Sequence, residues 1–125
     1  MFTNLSIEEA TIAYIIRAYK SFDNTISQYG IADAYTQRQM INITPRRVRK
    51  LIEKLIEKGY PIISTPHKPG GYCWFSYDSE RLECYRRLRK KGIRILLRAR
   101  RINRNCKAEM DKREEKEQLS LLGVG

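Results

Sequence analysis

The chain has few cysteines and histidines, the residues that form disulfides and bind zinc. It contains three cysteines and one histidine among 125 residues. Cys73, Cys84 and Cys106 are odd in number and widely spaced, so they cannot all pair within one chain. Unpaired cysteines are typical of a reducing compartment, and we expect a cytoplasmic protein.

Motifs of catalysis and membrane insertion are also missing. The sequence has no Ser/His/Asp set, no H-E-x-x-H and no phosphate-binding glycine loop, and His67 has no metal-ligand pattern near it. No apolar run approaches the roughly 18 residues of a membrane span. Glu8 and Glu9 stand where a signal peptide would be basic. We expect no enzymatic activity, cofactor, metal or membrane partner.

Acidic residues are nearly absent between residues 81 and 107. This segment holds twelve basic residues and one acid, Glu83, while the whole chain has a net charge of +11. The entire excess charge therefore lies in one segment. Such a field indicates a polyanionic partner, most directly nucleic acid. A solvated helix face, or a segment neutralised by an acidic protein, is the alternative.

Two helices are predicted in the first third of the chain. The capping-box sequence S-I-E-E, which begins at Ser6, and the apolar spacing after it predict a helix that ends near Phe22. Residues 36–41 are predicted to form a short supporting helix, with Met40 and Ile41 facing the core. The stretch between these helices has no clear period.

A third helix and a hairpin follow. Thr44 is a suitable N-cap, Pro45 fits the first helical position, and Gly59 can end the helix with a positive φ. Residues 61–65 and 72–75 have the chemistry of strands and flank a loop rich in glycine and proline. This order predicts an α+β fold, a winged helix-turn-helix with a recognition helix and a β-hairpin wing.

The third helix is predicted to carry cations on the side opposite its apolar stripe. Arginine can pair with guanine in the major groove, and either basic side chain can bind phosphate. The predicted DNA contacts are Arg46, Arg47 and Lys50 in the groove, with Arg49, Lys54 and the wing residue Lys68 beside them. The alternative is an ordinary amphipathic helix with a basic outer face.

Asp78 or Ser79 is predicted to cap a long basic helix. Apolar and small residues recur in a heptad rhythm from Tyr85 to Cys106, so this helix could form a homodimer through residues 79–107 or pack on its own domain. We expect its basic side chains to follow DNA phosphates. The predicted contacts are Arg86, Arg87, Lys90 and Arg94.

A family resemblance is carried by residues 43–75. Their texture is similar to the winged helix-turn-helix proteins common in phages and prophages of bacteria, and to the DNA-binding domain of biotin-repressor-like regulators. The matching positions are Ile43, Thr44, Arg46, Val48, Arg49, Ile52, Leu55, Gly59, Pro61, Ile62, Ser64, Gly71 and Tyr72. The tryptophan of the pattern falls at Cys73 or Trp74. The resemblance implies the fold and double-stranded DNA binding, without enzymatic activity.

The C-terminal end contains a second resemblance. Gln118, Leu119, Leu121 and Leu122 form a Q-L-x-L-L string similar to the peptide that binds the bacterial sliding clamp. The alternative is a tail that is disordered or docks on its own protein. We expect a winged domain over residues 1–78, a basic helix over 79–107 and a flexible tail over 108–125.

These features predict a DNA-binding protein of phage or prophage replication that recruits the sliding clamp. A dimeric transcriptional regulator and an interaction or inhibitor protein acting on host machinery are the alternatives.

Overall fold

The fold was analysed in a computed structural model, which describes residues 4–68 and 70–123. In these residues four helices accompany a two-stranded antiparallel hairpin. The elements are α1 (Ile7–Arg17), α2 (Gln28–Gln39), α3 (Pro45–Glu57), β1 (Ile62–Thr65), β2 (Gly71–Trp74) and α4 (Asp78–Leu121). The α+β class is confirmed, and a hairpin after three helices is compatible with a winged helix. The chain divides into two units, the first ending at Tyr85 and the second starting at Arg86.

Helix α1 begins with the predicted capping box. The Ser6 hydroxyl accepts from the Glu9 amide at 3.1 Å, and the Glu9 carboxylate accepts from the Ser6 amide at 3.2 Å. The helix ends at Arg17, so the expected end near Phe22 was wrong. The physical reason is a competing backbone bond, because the Trp74 amide of β2 donates to the Tyr19 carbonyl at 2.6 Å.

Helix α2 is longer than the predicted helix over residues 36–41 and begins earlier. The Ser27 hydroxyl caps it by accepting from the Gly30 amide at 3.1 Å. It ends where Met40 takes a left-handed conformation, with φ of 57°. Met40 and Ile41 were expected to face the core, but they are 86% and 64% exposed. Both residues follow the last helical turn, so they no longer lie on its buried face.

Helix α3 follows the sequence prediction closely. The Thr44 hydroxyl accepts from the Arg47 amide at 3.1 Å, and Pro45 is the first helical residue, where its missing N–H leaves no bond unmade. Gly59 follows the C-cap with φ of 97°, as expected. The buried face packs against α1 and α2. Its buried residues are Val48, Leu51, Ile52 and Leu55.

The hairpin is joined on its second side by a bridge from the α1–α2 connection. Ile26 and Tyr72 exchange two backbone hydrogen bonds of 3.0 and 2.8 Å, so β2 lies between β1 and Ile26. Gly71 has φ of 133°, and a Cβ there would overlap the backbone carbonyl of Ile26. Only glycine permits this close approach without strain. The bridge therefore ties the wing to the helical core.

Helix α4 runs from Asp78 to Leu121, so Asp78, one of the two predicted N-caps, is its first helical residue. Residues 108–121, which were expected to belong to a flexible tail, are helical. Residues 108–121 are rich in strong helix formers, and Glu109 and Arg113 form an i,i+4 ion pair of 3.6 Å. Among the described residues, no helix combines the length and apolar character that a membrane span requires.

Candidate nucleic-acid interface

The outer face of α3 presents a row of cations. Arg46, Lys50 and Lys54 are exposed and recur every four residues, so they stack along one side of the helix. The buried stripe lies on the opposite side and fixes the rotation of α3 on the core. Three cationic side chains therefore point to solvent from a rigid element. All three residues were predicted from the sequence to lie on this face.

Arg47 lies on the same helix but is engaged with α1. Its guanidinium contacts the Glu8 carboxylate at 3.3 and 3.4 Å. This hydrogen bond and the nearby charge raise the pKa of Arg47. Its side chain is still 45% exposed. Arg47 must exchange Glu8 for phosphate or base if it is to contact DNA, which sequence spacing did not indicate.

A second ion pair joins the end of α3 to the start of α1. The Lys58 ammonium lies 2.8 Å from Glu9 Oε2 and donates to the Asn4 carbonyl at 3.2 Å. The Glu9 side chain is 8% exposed. The hydrogen bond from Lys58 lowers the pKa of Glu9 and outweighs the opposing effect of burial. Lys58 is thus a structural cation, distinct from the outward row.

The hydroxyl of Tyr72, on β2, lies close enough to α3 to be affected by the charges of that helix. Burial raises the pKa of its hydroxyl, while the charge of Arg49 opposes this rise and that of Glu53 adds to it. Tyr72 and Trp74 pack against the hydrophobic core. Arg49 is exposed on α3 and lies close enough to Tyr72 for its charge to act on that hydroxyl.

The wing loop is held at both ends. Thr65 accepts from the His67 amide at 3.2 Å, and the Thr25 hydroxyl donates to the Gly70 carbonyl at 3.0 Å. His67 Nε2 lies 3.2 Å from a Glu83 carboxylate oxygen. Lys68 is exposed in this loop. The contacts position a cation on the wing while leaving its side chain accessible.

The second unit carries the remaining predicted DNA contacts. Residues 86–107 contain eleven basic side chains and no acid. Arg86, Lys90 and Arg94 are brought together with Arg89 around Ile93, in a shallow groove of about 310 Å³. Arg87 is half-buried. The spacing of four residues explains this clustering, because residues i and i+4 share a helix face.

The clamp-like string lies at the end of α4. Gln118, Leu119 and Leu121 are within the helix, and the Leu122 amide donates to the Gln118 carbonyl at 3.1 Å. Leu119, Leu121 and Leu122 are 43%, 87% and 76% exposed. The three leucines are therefore accessible, in a helical conformation that the sequence analysis did not predict.

Comparisons with family models, with curated proteins and with solved structures find no match to the chain. What the interface can do therefore follows from its own residues and geometry. The sequence did not indicate Glu8 as the partner of Arg47, or Thr25 and Ile26 as supports of the wing. The sequence shows only that Glu8 lies in an acidic first turn. That pattern does not identify a partner 39 residues away in the chain.

Proposed function

We propose that this protein is a winged helix-turn-helix protein that binds double-stranded DNA. In this proposal α3 enters the major groove with Arg46 and Lys50, and Lys68 on the wing contacts the neighbouring backbone. The basic run of α4 neutralises further phosphates. The protein has a binding role and no catalytic one, and it acts in phage or prophage replication within the bacterial cytoplasm.

The observation that carries this proposal is the cationic row on α3, directly followed by a supported hairpin. Arg46, Lys50 and Lys54 project from the side of α3 that is not used by the core. A helix presented in this way fits a groove about 12 Å wide. The positive end of the α3 helix dipole, at Thr44, also favours phosphate.

Fluorescence anisotropy on a labelled duplex, measured over a series of salt concentrations, tests the proposal. Affinity should fall steeply as salt rises, because each neutralised phosphate releases counterions and contributes about −0.9 to the logarithmic slope. Replacing both Arg46 and Lys50 by alanine should weaken binding by roughly tenfold or more and reduce the slope by about 2.

Lys20→Ala is the matched control, because this substitution removes an exposed cation outside the proposed interface. The control should change affinity by less than about threefold. Absence of duplex binding at low salt, or binding that ignores salt, would favour the protein-interaction alternative. A palindromic footprint bound by a dimer would favour the transcriptional regulator.

We further propose that the C-terminal string binds the bacterial sliding clamp. Gln118 would enter a polar subsite, and Leu121 and Leu122 an apolar pocket. The exposure of the leucines supports this proposal, but an extended binding mode requires the last turn of α4 to unwind. Helix ends fray readily, so this cost is small compared with unwinding the middle of a helix.

Retention of the full chain on an immobilised sliding clamp tests the tail. Gln118→Ala with Leu119→Ala should abolish retention, whereas Lys112→Ala, a helical change outside the string, should preserve it. No retention of the unmodified protein would overturn the clamp proposal and leave duplex binding unaffected.

A further inference from the structure

One face of α4 in the second unit is apolar, although the rest of its surface is basic. At 100° per residue, a face about 120° wide contains no charged residue between Leu88 and Met110. The side chains on this stripe are Leu88, Gly92, Ile95, Leu96, Ala99, Ile102, Asn103, Cys106 and Met110. The eleven basic residues of 86–107 all lie outside it.

The large side chains of the stripe are open to solvent. Leu88 is 53% exposed, Ile95 59%, Leu96 67%, Ile102 52% and Met110 59%. A continuous row of half-exposed aliphatic side chains over six helical turns is larger than the scattered apolar residues normal on a surface. Such a row marks an interaction surface, and its helical repeat suits another helix.

We propose that this stripe is the seam of an antiparallel homodimer, in which α4 of one copy packs on α4 of a second copy. Ala99 is the midpoint of the stripe, so full antiparallel overlap places Leu88 of one copy level with Met110 of the other. Gly92 then lies level with Cys106, and Leu96 with Ile102. The small residues Gly92, Ala99 and Cys106 meet one another, Leu88 and Leu96 meet Met110 and Ile102, and Ile95 meets Asn103.

Charge selects the antiparallel orientation. In a parallel pair, residues 86–107 of one copy lie beside residues 86–107 of the other along their whole length. This segment contains no acidic residue to offset the repulsion. The antiparallel pair brings Glu109 of each copy level with Arg89 of the other and two residues from Lys91, and it brings Asp111 level with Arg87 and two residues from Arg89. Opposite charges that flank a helical seam set the orientation of partner helices.

Some repulsion remains in the antiparallel pair, because the central basic residues of both copies are still close. Added salt screens this repulsion, since the Debye length falls from about 10 Å at 0.1 M to about 3 Å at 1 M. Self-association should therefore strengthen with salt. Duplex binding should weaken with salt, so the opposite salt dependence separates the two activities. The proposed dimer therefore does not depend on the proposed DNA binding.

Sedimentation velocity of the full chain, freed of nucleic acid, tests the seam. The dimer fraction should rise between about 0.15 and 0.5 M NaCl. Ile95→Glu should raise the dimer dissociation constant at least about tenfold, because it places a charge in the centre of the seam. Leu97→Glu introduces the same group on the opposite side of α4 and should leave association unchanged. Circular dichroism checks that both variants keep their helix content.

Orientation is tested by disulfide capture with oxidised glutathione. Gly92→Cys has open space around its new side chain. The antiparallel pair should link position 92 of one copy to Cys106 of the other, as mass spectrometry of the linked peptides would show. Adding Cys106→Ser should abolish that link. In the unmodified protein the two Cys106 thiols lie about 21 Å apart along the seam, because 14 helical residues separate the two levels.

Three results would overturn the inference. One is a monomer at every concentration and salt. A second is a dimer insensitive to Ile95→Glu, and a third is ready formation of a Cys106–Cys106 disulfide, which requires a parallel pair. Binding of monomers to vesicles of anionic phospholipid, lost in Ile95→Glu, would assign the stripe to a lipid surface instead.

Discussion

The Glu8 carboxylate of α1 lies within 3.3 Å of the Arg47 guanidinium on α3, so one of the predicted DNA contacts is already paired within the protein. Both side chains are more than one-third exposed, and water competes for each of them. The pair is therefore an exchangeable contact. A phosphate that approaches α3 competes with Glu8 for Arg47.

The first prediction concerns this competition. Glu8→Gln removes a negative charge beside α3 and releases Arg47, so duplex affinity should increase by about three- to tenfold at low salt. Anisotropy titration measures the change. Glu57→Gln, which neutralises an exposed acid at the far end of α3, is the control. Equal effects of both substitutions would show that net charge matters and the Arg47 pairing does not.

The second prediction concerns the base of the wing. Gly71→Ala introduces a methyl group against the Ile26 carbonyl at a φ of 133°, where a side chain is also strained. The free energy of unfolding should fall by about 3 kcal/mol or more, because the Ile26–Tyr72 bridge must open or the backbone must shift. Chemical denaturation followed by circular dichroism measures this loss.

Gly59→Ala is the matched control for that experiment. Gly59 also has a positive φ, of 97°, but nothing lies within 4 Å of the position its Cβ would take. Its loss should be only about 1–2 kcal/mol, from backbone strain alone. Similar losses for the two variants would show that the contact with Ile26 contributes nothing.

The third prediction concerns acid stability. Lys58 holds the pKa of Glu9 below its usual value of 4.5, so the unfolded chain takes up a proton before the folded chain does. The stabilising contribution of Glu9 is complete above that value and is lost as the pH falls through the lower folded pKa. Glu9→Gln should therefore flatten the decline in unfolding free energy below about pH 4.5.

Denaturation curves collected from pH 7 to pH 3 measure this decline. The exposed Glu57→Gln variant, which leaves the Glu9–Lys58 pair intact, is the control. Parallel profiles for Glu9→Gln and the unmodified protein would contradict an energetic role for the Glu9–Lys58 pair.

Local signals with a specific chemistry were predictable from the sequence. The Ser6 capping box, the Thr44 cap with Pro45, and Gly59 after α3 each satisfy backbone groups within a few residues. Their positions depend little on the rest of the fold. The apolar stripe of α3 was equally clear, because one face is buried and the other is charged.

The features that the sequence did not reveal depend on distant partners. Helix α2 buries only Ile31, Ala32 and Tyr35, so its apolar period is short and Gly30 weakens the pattern. Its start at Ser27 coincides with the Ile26 bridge to Tyr72, which is 46 residues away in the chain. Pairing across such a separation leaves no local pattern, and the Arg47–Glu8 contact is hidden for the same reason.

The fixed ends of the wing loop have a consequence for how this protein could diverge. Thr65 is buried and Gly71 is locked against Ile26, while His67 and Lys68 between them are exposed. Insertions or exchanges inside the loop would leave the two anchoring positions, and hence the core, intact. Related chains could therefore acquire new targets by changing the loop tip, and a designer could graft foreign loop sequences between positions 65 and 71.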